Sequence, residues 1–221
     1  MLSFPRLALI VVPAIALASP ARGQTGEVSD QKAAAAAKKP DSRGVQIAKL
    51  MGGMATGLAI HEAGHLMVGS LVGADFHLKK VDFKGLPFFA IAHAPNLSPR
   101  AEYAVSSAGL WMQYVASERI LSAHPNLRSE RRRFEEGVLA FHVGVSVMYA
   151  GAAFAESGPY ERDTRGAADA LGVSERWMGP LVLAPAVLDA YRYAHPDAGW
   201  AAWASRGLKL AMVGMTMGWS R

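Results

Sequence analysis

Residues 45–74 constrain this chain more than any other stretch. Apart from Gln46, Lys49 and the run His61-Glu62-Ala63-Gly64-His65, they are almost wholly apolar or small. A helix of that length covers about 40 Å, enough to cross a bilayer with some tilt. Its glycines recur four apart, Gly53 with Gly57 and Gly69 with Gly73. Small residues at that spacing let a second helix approach closely in lipid. In water each such glycine would cost about 1 kcal/mol against alanine. The segment therefore predicts a tightly packed membrane helix.

The polar residues inside it carry chemistry. His61 and His65 lie four apart, so on a helix they project from one face at successive turns and can grip one cation together. Glu62 stands beside the first of them and can serve as general base for a metal-bound water. The expected ion is zinc, Zn2+, which lowers the pKa of such a water and polarises a carbonyl. Ionisable groups in the middle of an apolar span are costly and mark functional sites. The expected reaction is peptide hydrolysis. The chain has no cysteine, so any metal must be held by histidine, carboxylate and water.

Composition agrees with a mixture of apolar helices and polar loops: 51% of residues are hydrophobic and the mean hydropathy is +0.14. The formal charge of +5 gathers at Lys79, Lys80 and Lys84 and at Arg128, Arg131, Arg132 and Arg133. No aromatic-and-basic strand or recognition helix accompanies these clusters, so no nucleic-acid partner is expected. Basic loops beside apolar helices report orientation across a lipid bilayer instead.

Three segments are expected. Residues 1–23 read as a secretory signal, with Arg6 ahead of a short apolar run and small residues before Gln24. Residues 24–44 read as a flexible tether. Residues 45–221 form the membrane-embedded domain, placed in a bacterial-type inner membrane. Within it, residues 75–94 predict a β-hairpin around Lys84-Gly85, with Pro87 favouring an edge. Further helices are expected over residues 101–122, 134–154, 181–193 (interrupted by Pro185) and 200–219. The expected fold is mainly α, a multi-spanning bundle with a small hairpin after the first core helix.

The run Ala59-Ile60-His61-Glu62-Ala63-Gly64-His65-Leu66, in a glycine-rich apolar helix and followed by a hairpin, resembles the site-2 protease family of intramembrane zinc metallopeptidases. The resemblance implies cleavage of a membrane-protein or peptide substrate, held extended beside the hairpin. It also implies a third zinc ligand, an aspartate in a Leu-Asp-Gly motif on a later helix. Leu188-Asp189-Ala190 is similar, with alanine for glycine, and favours Asp189. The residues themselves offer a competitor. Asp163 follows a long apolar helix and would enter the site from a helix start, where N–H groups suit a carboxylate. We place Asp163 first and Asp189 second. His142, in the apolar third helix, is a further residue that could hydrogen-bond near the site. Two other readings stay open: a non-catalytic membrane protein keeping the fold, and a soluble exported zincin.

Overall fold

The computed structural model describes residues 41–83 and 85–216. The expected signal, most of the tether, Lys84 and residues 217–221 lie outside the described residues. The described residues form seven helices: α1 (Arg43–Val72), α2 (Pro99–Ala123), α3 (Leu127–Glu130), α4 (Arg133–Ala155), α5 (Asp163–Leu171), α6 (Met178–Ala194) and α7 (Gly199–Gly214). A hairpin, β1 (Phe76–Phe83) and β2 (Leu86–His93), follows α1, and a 3-10 turn (Glu175–Trp177) precedes α6.

Local signals set the helix ends. The Ser42 hydroxyl accepts from the Val45 N–H at the start of α1, and Gly73 ends the helix with φ +79°. Ser98 caps α2 in the same way, with Pro99 in its first turn. In the hairpin, Phe83 pairs with Leu86, and the Gly85 N–H donates to Asp82 Oδ1 at 2.9 Å. Gly85 has φ +81°, a conformation that glycine adopts without strain. Pro185 does not interrupt α6, which runs from Met178 through it to Ala194.

α2 is the central helix. Tyr103, Ala104, Ala108, Leu110, Trp111 and Tyr114 are buried in the main core, with Met178 of α6 and Met212 of α7. The Tyr103 hydroxyl donates to the Met212 carbonyl at 2.8 Å. α1 packs along α2 on one side and along α4 on the other. The α1–α4 seam depends on absent side chains. A Cβ on Gly53 would overlap the carbonyl oxygen of Phe134, and one on Gly137 would overlap that of Leu50. Backbone cannot swing aside as a side chain can. Gly53→Ala should therefore destabilise by about 1–3 kcal/mol, the usual cost of overpacking. Thermal unfolding of the purified protein would show a loss of several degrees. Gly144→Ala, on α4 with open space around it, should leave the midpoint unchanged or raise it.

The expected bundle of several spans is corrected by the structure. Among the described residues one helix, α4, is long and apolar enough to cross a membrane, and a third of its most apolar window is buried. α2 carries Glu102, Glu118 and Arg119 and is the buried centre of the fold. α6 and α7 have 17 and 16 residues and carry Asp189, Arg192, Arg206 and Lys209. These charges face inward. Glu118, Asp189, Arg192, Arg206 and Lys209 form one buried ion cluster between α2, α6 and α7. Packed together, they satisfy one another.

Candidate metal centre

His61 and His65 lie on the face of α1 that meets α2. Their Nε2 atoms are 3.1 Å apart. His61 is buried, and the His65 side chain is 12% exposed. Room for both rings comes from Gly109 on α2. A Cβ there would lie 2.5 Å from His61 Cε1 and from His65 Nε2. Gly64, one residue before His65, lets α2 come close, since a Cβ on it would sit 2.5 Å from the Ala108 carbonyl oxygen.

Asp163 arrives from the opposite side, as the first residue of α5. Its Oδ2 stands 3.1 Å from His61 Nε2 and 3.3 Å from His65 Nε2. The approach to α5 is braced at several points. Arg162 forms a buried ion pair with Glu175 and donates to the Gly158 and Pro159 carbonyls at 3.1 and 2.7 Å. Thr164 donates to the same Glu175 carboxylate at 2.6 Å. Lys79 of β1 reaches Glu161 at 2.6 Å, tying the hairpin to this loop and holding the Glu161 carboxyl below its ordinary range. The neighbouring arginines are thus engaged elsewhere: Arg162 with Glu175, and Arg165 with Asp169 and the Tyr160 ring. Asp163 is left to the histidines. Burial pushes its carboxyl towards the neutral form. When protonated, with no metal between them, the imidazoles of His65 and His61 outweigh that and hold it well below the usual carboxylate range.

Other groups orient the rings. His65 Nδ1 donates to the Val105 carbonyl at 2.8 Å, which leaves its Nε2 as a lone pair facing Asp163. His61 Nδ1 lies 3.0 Å from the Gln113 amide. The Tyr149 ring stacks on His61 with centroids 6.1 Å apart, and its phenol neighbours the carboxylates of Asp163 and Glu62. Glu62 is partly exposed beside the cluster, close enough for its charge to act on His65 and Tyr149.

The three inward atoms form a near-equilateral triangle. Ligand atoms about 2.0–2.1 Å from a tetrahedral zinc stand about 3.3–3.4 Å apart, close to the separations here. Asp163 Oδ2 is fully enclosed yet receives no well-directed hydrogen bond, although two imidazole nitrogens are near. Nitrogens whose lone pairs converge on a shared point, rather than N–H groups aimed at the oxygen, give that pattern. His61, His65 and Asp163 can hold a metal ion, and two nitrogens with one carboxylate oxygen suit zinc. Gly109→Ala should therefore reduce affinity for a divalent metal ion at least tenfold by displacing both rings. Competition with a chelator of known affinity would measure the change.

Asp189 is not brought to the histidine pair. Its carboxylate is turned to Lys209 at 2.7 Å, Ser205 at 2.6 Å, Arg192 at 3.2 Å and His142 at 3.3 Å. Sequence reasoning did not single out Gln113, Tyr149 or Gly109. The signal for Gly109 was a glycine in mid-helix; Gln113 and Tyr149 carried none. No protein-family model, curated protein or solved structure matches the chain.

Proposed function

We propose that this protein is a zinc-dependent peptidase working at a membrane. The observation that supports it is the triangle of His61, His65 and Asp163 atoms with Glu62 alongside. Those three residues would hold the ion. Zinc bound there supplies a Lewis acid that polarises a peptide carbonyl and acidifies water. The chain's own residues do the rest. Glu62 accepts the proton of the attacking water and delivers it to the leaving amine. The Val105 carbonyl holds His65 in the tautomer that keeps Nε2 free. α1 packs along α2 and α4 around the site, and Glu62 is partly exposed beside it. The two-stranded hairpin has unpaired edges among the described residues, and an extended substrate segment can add to one as a further strand.

The membrane half of the reading rests on α4, with Arg128, Arg131, Arg132 and Arg133 at or before its start, and on outward-facing apolar residues. Val147, Met148 and Phe154 of α4 and Met51, Leu58 and Leu66 of α1 are exposed. Such a basic cluster favours the cytoplasmic side. A soluble exported zincin is the second reading, favoured by the inward-facing charges Glu118, Asp189, Arg192, Arg206 and Lys209.

Two measurements on the full chain test these readings. Metal analysis of purified protein should find about one zinc per chain, and folded protein that takes up none at micromolar free zinc would end the peptidase reading. Alkaline carbonate washing of membranes should leave the protein in the pellet. Recovery in the soluble extract with zinc bound would replace the membrane reading with the zincin.

A further inference from the structure

The buried ion cluster and the candidate metal centre are joined by a single chain of side chains. Gln113, buried on α2, touches both His61 and His142. His142, buried on α4, lies against Asp189, and Asp189 is held by Lys209, Arg192 and Ser205. Lys209 is wholly enclosed, an expensive place for an ammonium group unless it serves a paired charge.

The proton positions along this chain are not independent. The Gln113 amide nitrogen stands 3.0 Å from His61 Nδ1, and its oxygen 3.4 Å from His142 Nδ1. Followed in that sense, the amide donates to His61 Nδ1, which leaves the proton of a neutral His61 on Nε2, inside the triangle. His142 donates from Nδ1, which leaves its Nε2 as a lone pair 3.3 Å from the Asp189 carboxylate. Two acceptors would then face each other in a buried place, and His142 Nε2 does lack a well-formed hydrogen bond. A half-turn of the amide exchanges its oxygen and nitrogen in place. His142 Nε2–H then donates to Asp189, and the amide N–H donates to His142 Nδ1. His61 Nδ1–H donates to the amide oxygen, and His61 Nε2 becomes a lone pair. Each contact along the chain now joins a donor to an acceptor.

We propose that Asp189, His142 and Gln113 are positioning residues for His61: the charge on Asp189, kept by Lys209 and Arg192, fixes each tautomer in turn so that His61 presents Nε2 as a metal ligand. This deepens the peptidase reading and rests on it. Ligating histidines commonly donate their second N–H directly to a carboxylate or carbonyl. Here the carboxylate acts through two intermediates, which lets it sit among buried cations without crowding the site. The aspartate that resembles the family's ligand would thus serve the metal from a distance.

The test uses the full-length protein, with zinc affinity read by chelator competition and histidine tautomers read by 15N NMR. Gln113→Met keeps the volume and removes both hydrogen bonds; it should weaken zinc binding about 10- to 100-fold, the usual effect of losing an outer hydrogen-bond partner. Gln113→Glu, whose carboxylate can accept from His61 Nδ1–H, should recover most of that loss. In the parent protein His142 should carry its proton on Nε2. That tautomer does not depend on how well a variant folds. The proposal is overturned by His142 protonated on Nδ1, or by Gln113→Met binding zinc with parental affinity. A parent that binds no zinc at all removes the metal centre itself; unchanged variants of a zinc-binding parent remove this chain alone.

Discussion

Glu62→Gln should lower the rate of peptide cleavage by about 10²–10⁴-fold, the range for removing a positioned general base, and leave the zinc content unchanged. The amide has the shape of the carboxylate but cannot take a proton from water. Glu62 is not among the three atoms that converge on the candidate site, so its charge is not needed to hold the ion there. It is partly exposed where His61 and Asp163 are buried, as a group must be that meets both water and substrate. The experiment compares turnover of an extended apolar peptide, or of a membrane-protein substrate, with metal content in the same preparation. Loss of zinc along with turnover would make Glu62 a structural or ligating group. A zinc-loaded parent in which Glu62→Gln changes nothing would favour a protein that keeps the fold for binding.

The second large effect is expected at Asp163. Asp163→Asn removes one of the three proposed ligands and the only negative charge among them. Zinc affinity should fall by more than about 100-fold, beyond what loss of an outer partner causes. Asp189→Asn, acting through His142 and Gln113, should fall short of that. Zinc-dependent stability gives an independent reading. A ligand at 100 times its dissociation constant stabilises the folded state by about 2.7 kcal/mol, so zinc should raise the unfolding temperature of the parent by several degrees. It should do so far less for Asp163→Asn. The reverse order of the two variants would move the third ligand to Asp189 and contradict the geometry. The ion pairs behind Asp163 make this a clean test. Arg162 keeps Glu175, and Lys79 keeps Glu161, when the Asp163 side chain changes.

What the sequence determined by itself is local in origin. A four-residue spacing on a helix places His61 and His65 together whatever the rest of the chain does, because helical geometry repeats within one turn. The same holds for the caps of α1 and α2 and for the hairpin, whose register follows from a short turn at Gly85. Asp163 could be weighed because it stood at a helix start, but sequence could not rank it securely against Asp189. That choice depended on where the far end of α4 delivers the chain, and on which carboxylate a set of buried cations captures. Arg192, one turn along α6, and Lys209 and Ser205 of α7 draw Asp189 away, and the last two meet it only once α6 and α7 pack. The number of spans was misjudged for the same reason. Apolar composition records how much surface must leave water, not whether lipid or other helices will cover it. Gln113 and Gly109 acquire their roles only from α2 lying against α1. A contact between distant segments is a property of packing, and tertiary structure alone decides it.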